Sequence, residues 1–298
     1  MEILNQMIAA MTREEVRHLK LYLSRIETPG DRKDELLFDY ARQKGKDFDE
    51  QKILKKLYGS SGKNAYYRLR NRLQQVICQN LTLLHENKSD KNKLLLYFSV
   101  YHIFSDKGNA ELAFSYLLKA ERLALKVENF EMLDLIYAHC IKISGDIPGM
   151  NPIPYIEKRK SNAEQLHKLR EMDQVLAAMV FQLKFSQAKG REDGDTLKLL
   201  DEITQKYSAD KSLQHSKVFQ TKIYRAVSQI LLQRHSYREL ERFMISIYRK
   251  FNKARWFDKN NHDTKLQMLT FLVNSLSRNG KTAKSLERAE ELGRELEA

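Results

Sequence analysis

Residues 92–126 read NKLLLYFSVYHIFSDKGNAELAFSYLLKAERLALK, and this stretch decides the fold. Tyr97, Tyr101 and Phe104 recur at helical spacing, Gly108-Asn109 is a turn signal, and Ala113, Leu117 and Ala120 recur on a second helix. The pattern predicts two helices joined by a tight turn, with the small residues at 113 and 120 letting paired helices approach closely. Further turn signals occur at Asn151-Pro152, Gly194-Asp195, His235-Ser236 and Asn279-Gly280, at intervals of 43, 43, 41 and 44 residues. Each is preceded by one apolar-periodic helix and followed by another. A single hairpin cannot bury its own apolar face, whereas stacked hairpins can, so residues 92–298 are expected to form an α-solenoid of about five hairpins.

The first of these units resembles a tetratricopeptide repeat in its large residues on the first helix, its turn, and its Ala113, Leu117 and Ala120. The last unit matches in part through Gly280, Ser285, Ala289 and Leu292, and the fourth through Tyr237, Leu240 and Met244. The sequence departs from the family pattern at Tyr101, where a small residue is usual, and lacks the usual proline after the second helix. The resemblance implies a right-handed solenoid whose first helices line a concave, protein-binding groove. Aligning the units on their turns, Lys222, Arg225 and Gln229 project from one first helix and Gln267, Thr270 and Asn274 from the next. This polar strip resembles the basic-plus-asparagine clamp of some tetratricopeptide proteins, with Thr270 where a lysine is expected. It suits an extended peptide or its carboxylate; the other reading, which the incomplete match favours, is an ordinary solvated helix face.

Upstream, residues 1–88 read as a separate small helical domain, joined by the polar stretch 86–92. Thr12 and Glu15 form a capping-box pattern ahead of Val16, Leu19 and Leu23, and Pro29-Gly30 ends that helix. A second helix carries Leu36, Leu37, Tyr40 and Ala41 inward and stops near Gly45. Asp49 caps a third, with Ile53, Leu54 and Leu57 inward. After the turn Gly59-Ser60-Ser61-Gly62, a long helix from about Asn64 to His85 presents Tyr66, Leu69, Leu73, Val76, Ile77, Asn80 and Leu84.

Composition agrees with an all-α class. Four prolines and 11 glycines in 298 residues are too few for the turns of a β-rich chain. No apolar run is long enough to cross a membrane, and the start MEILNQMIAAMTREE lacks a basic segment and a long apolar centre, so a cytoplasmic protein without membrane association is expected. Cys78 and Cys140 sit in apolar patterns and read as small buried residues in a reducing compartment. The net charge of +13 is spread along the chain, heaviest after residue 200; it permits nucleic acid or acidic partners without selecting one.

No pattern of catalytic chemistry occurs. HExxH, paired CxxC, GxxxxGK[ST] and GxGxxG are all absent, which leaves no expected metal, cofactor or catalytic residue. His102 and His139 fall in apolar helices and suit a core or groove place. Two basic segments remain. From Lys52 to Lys88, eight basic residues face one acidic residue, and Lys63, Arg68, Arg70 and Arg72 lie on a second helix after a glycine turn. That resembles a helix-turn-helix, whose second helix enters a major groove; the other reading is a solvated face beside a leucine stripe. Arg249, Lys250, Lys253 and Arg255 adjoin Trp256 and Phe257, either to stack a base or to lie over a tryptophan that anchors a hairpin end. The expected function is a non-catalytic scaffold that holds a peptide or helix of a protein partner. The alternative is a nucleic-acid-binding regulator whose repeats sense a ligand or dimerise.

Overall fold

The computed structural model describes residues 3–26, 33–59, 62–188, 211–258 and 261–297. All regular structure among them is helical, which establishes the all-α class. None of their helices is long and apolar enough to cross a membrane. The chain divides into two compact units, residues 1–96 and 97–298. The Pro29-Gly30 and Gly194-Asp195 turn signals lie outside the described residues.

The first unit holds α1 (Ile3–Ala10), α2 (Arg13–Ile26), α3 (Lys33–Lys44), α4 (Glu50–Tyr58) and α5 (Lys63–His85). The capping box forms: the Thr12 amide donates to Glu15 Oε2 at 2.7 Å and the Glu15 amide to Thr12 Oγ1 at 3.3 Å. His85 reaches the same carboxylate at 2.7 Å. The Thr12 and His85 hydrogen bonds hold Glu15 below the usual carboxylate range. Asp49 caps α4 by accepting from the Lys52 amide at 3.1 Å. Arg42 closes the far end of α1, donating to the carbonyl of Ile8 and to that of Met11 just beyond the helix.

Helix α5 packs on α2, α3 and α4 through Tyr66, Leu69, Leu73 and Ile77, all buried. Asn80 belongs to the same buried stripe because its side-chain oxygen meets His18 Nδ1 at 3.2 Å. Two expectations fail here. Leu36 is exposed, and Phe38 fills the core instead; Asp34, Leu37, Phe38 and Ala41 define the inward face, and Leu36 lies off it. Cys78 is exposed, because it sits one step round the helix from the buried Ile77; Cys140 is buried as expected, and burial pushes its thiol up to about 12.

The division between units falls within α6 (Asp90–Asp106). The second unit continues with α7 (Ala110–Lys126), α8 (Phe130–Ile143), α9 (Ile153–Ala188), the single turn α10 (Lys211–Gln214), α11 (Lys217–Gln233), α12 (Tyr237–Lys253), α13 (His262–Arg278) and α14 (Thr282–Glu297). The longer helices pack in chain order, α7 on α8, α8 on α9, α9 on α11, and so on to α14. Ala113, Leu117 and Ala120 are fully buried. One helix end recurs five times. At Gly108, Glu128, His235, Arg255 and Gly280 the backbone turns to positive φ, and the next amide donates back five residues to close the helix. Asn109 and Asn129 then cap the following helices through their side-chain oxygens.

Helix α9 departs from the repeat. A 43-residue interval predicts two helices between Pro152 and Gly194, yet Ile153–Ala188 is one continuous helix of 36 residues. No glycine or proline follows Pro154 within it, so nothing in the backbone ends it.

Glu241 ties α12 to the α13–α14 turn. Its nearly buried carboxylate accepts from Lys281 Nζ at 2.6 Å and Asn279 Nδ2 at 2.7 Å. Burial alone raises its pKa, but these donors outweigh burial and leave it below its ordinary value of 4.5. A depressed folded pKa gives stability that is present above the unfolded pKa and lost as pH falls through the folded one. Lys281→Ala is therefore expected to cost about 1 kcal/mol at pH 7, with the difference from the native chain fading in thermal melts as the pH falls below the ordinary carboxylate value and through the lowered one. A difference that stays constant with pH would show that Lys281 acts by packing alone.

Candidate functional site

Helix α11 is buried on most of its circumference. Ser216 caps it by accepting from the Phe219 amide at 3.3 Å, and Phe219, Tyr224, Val227, Ile230 and Leu231 enter the core. What remains outside is the stripe Lys222, Arg225 and Gln229, at steps of three and four residues. Opposite lies the C-terminal half of α9, whose Met172 and Leu176 are buried and whose Phe181 is 69% exposed. Lys222 Nζ contacts both Asp173 carboxylate oxygens at 2.5 Å and so links the two helices.

Between them runs an open groove of about 460 Å³. Leu176, Ala177, Val180, Phe181 and Ala226 give it an apolar floor, and the Asp173–Lys222 pair, Arg225 and Gln229 give it a polar rim. An apolar cleft with a few convergent polar groups is the usual form of a binding site.

The structure thus gathers three of the six expected groove residues. Gln267, Thr270 and Asn274 stand exposed along α13 but do not line this groove. The Thr270 hydroxyl is bonded to the Leu266 carbonyl of its own helix at 2.8 Å. The helices α11 and α13 do meet, since the Tyr224 and Phe271 rings lie 6.3 Å apart. The α9 wall escapes sequence reasoning, because the repeat interval predicts two helices where the chain forms one.

The basic helix α5 has a different character. Arg72 makes a two-pronged contact with the buried Asp34 of α3. Arg70 pairs with Glu50 at 3.5 Å and lies over the Tyr67 ring at 4.8 Å. Lys63 and Arg68 are exposed, Lys63 at 5.9 Å from the Tyr67 ring. Two of the four cations proposed to meet phosphates therefore hold the unit together. At the start of α5 a Cβ on Gly62 would sit 2.1 Å from that of Tyr58, which favours glycine there.

The remaining candidates resolve as packing. Trp256 stands edge-on to Phe251 at 5.1 Å, and its carbonyl accepts from Asn261 at 3.1 Å, which anchors the end of α12. His139 meets the Tyr101 hydroxyl at 2.8 Å and the His102 ring at 5.2 Å. Burial, then the nearby His102 and Lys142, depress its pKa. No group of three or more histidine, cysteine or acidic residues placed to hold a metal occurs among the described residues.

No protein-family profile, curated protein or solved structure matches the chain.

Proposed function

We propose that residues 92–298 are a tetratricopeptide-like, right-handed stack of helical hairpins, with the long α9 in place of two of the helices the repeat predicts, that holds a segment of a protein partner, without catalysis and in the cytoplasm. The observation that carries this reading is the α9–α11 groove, where an apolar floor ends in an exposed Phe181 beside the Arg225 and Gln229 rim. A large exposed aromatic on a rigid helix loses little side-chain entropy on binding and buries much area, which makes it a natural anchor. The rim then fixes register by hydrogen bonds to the partner's backbone or carboxylates.

A photo-crosslinking residue placed at Gln229 is expected to capture a protein partner from native lysate. Phe181→Ser with Arg225→Glu should reduce that capture about tenfold or more, while leaving the thermal melt unchanged. Capture from Gln229 that ignores both substitutions would overturn the groove as the site. A second crosslinker at Asn274 reports whether the α13 strip extends it.

A further inference from the structure

Helix α5 carries an exposed face that the first unit leaves bare. Asn71, Gln75, Cys78 and Thr82 form a stripe along it, all exposed. From Leu73 to Leu84 the sequence contains no charged side chain, in a protein of net charge +13. Solvated helix faces ordinarily carry charges, so an exposed uncharged stripe is the unusual feature here. Apolar atoms border it, with Ile3 of α1 69% exposed and Leu83 54% exposed. Between α1 and α5 lies a shallow cleft of about 570 Å³, lined by Ile3, Met7 and the α5 amides.

Two charges close the stripe, one at each end. Arg68 lies nine residues before Ile77 and Glu86 nine residues after it. Eighteen residues are five full helical turns, so both project from the same side, about 27 Å apart. Glu86 still has helical backbone angles, φ −50 and ψ −45, at the end of α5. Neither Arg68 nor Glu86 has an ion-pair partner among the described residues. Their order also runs against the helix dipole, with the cation in the N-terminal half of α5 and the anion at its C-terminal end.

We propose that this face is a twofold dimer interface, with α5 packed antiparallel against α5 of a second copy about an axis at the level of Ile77. Twofold symmetry then sets each Arg68 against the Glu86 of the other copy, and each dipole end against an opposite charge. The uncharged stripe meets itself across the axis, which is the condition for self-association of a strongly basic chain. Cys78 lies one residue from the axis level, and the other cysteine is buried, so the two copies of Cys78 come close together.

Sedimentation equilibrium of the full chain under reducing conditions is expected to show a reversible dimer. A short bis-maleimide should link the two copies of that dimer, and Cys78→Ser should abolish the link. Arg68→Glu and Glu86→Arg should each raise the dimer dissociation constant about tenfold. The double exchange should return it to within about threefold of the native value. That recovery separates a charge pair from a general loss of structure. A monomer at the highest soluble concentration, a dimer that Cys78 does not crosslink, or a dimer that the charge exchange fails to restore would each overturn the proposal.

Discussion

Replacing Glu128 with alanine is expected to lower the stability of residues 97–298 by about 3 kcal/mol, measured by urea unfolding. Glu128 stands just past the end of α7, where φ is 51°. Its carboxylate accepts from the amides of Lys217 and Val218, each at 3.1 Å, and from the Ser216 hydroxyl. Those amides belong to the first turn of α11 and have no partner within that helix. An anion at this end also meets the positive pole of the helix dipole. The contact joins positions 88–90 residues apart in the chain. It fixes the start of α11, on which Lys222, Arg225 and Gln229 are mounted.

The substitution series separates the carboxylate from the backbone. Glutamine keeps one acceptor oxygen and is expected to lose about half as much as alanine. Glycine loses the carboxylate but relieves the left-handed backbone, recovering about 1 kcal/mol relative to alanine. A native-like alanine variant would mean that water replaces the carboxylate at no cost. An alanine variant no worse than glycine would mean that residue 128 bears no backbone strain.

Glu128 shows where sequence reasoning stops. Local signals were legible: Thr12 with Glu15, Asp49, Gly108-Asn109 and Asn279-Gly280 act on residues within one helical turn, and the structure places each in its expected role. The turn at Glu128 has no glycine to announce it, and its carboxylate finds its partners only after the chain has folded back. Cys78 and Leu36 fail for a related reason, since a helix that is apolar on more than one side leaves its inward direction to its neighbours. The site divides in the same way. The spacing of Lys222, Arg225 and Gln229 marks one rim of the groove. Its other wall lies on α9, where 36 unbroken helical residues replace the two helices that the repeat interval predicts. The all-α class needed none of these details, because composition and periodicity already exclude strands.

Measured at a concentration where the chain is monomeric, Arg72→Met is expected to destabilise the first unit by about 2 to 3 kcal/mol, whereas Arg68→Glu should leave its melt within about 0.5 kcal/mol of the native chain. The Asp34 carboxylate is buried at 4% exposure and faces the Arg72 guanidinium. Removing the cation leaves a buried charge without its main counter-charge. The loss stays below the value for a fully buried pair because the Arg72 side chain is 57% exposed and Asp34 lies in the first turn of α3, where the helix dipole favours an anion. Pairing Arg72→Met with Asp34→Leu should recover most of the loss, since the cost comes from stranding one partner. This contrast bears directly on the nucleic-acid reading of α5. Reversal of Arg68, Arg70 and Arg72 together would break the Glu50 and Asp34 pairs, so a loss of binding would be mixed with a loss of stability. Only Lys63 and Arg68 are free to be exchanged without touching an internal ion pair, so a phosphate-contacting helix must reveal itself there. Salt-sensitive duplex binding that Lys63→Glu and Arg68→Glu weaken in a chain with a native melt would support it. Loss of binding only in variants that also lose the Asp34 pair would trace the effect to the core.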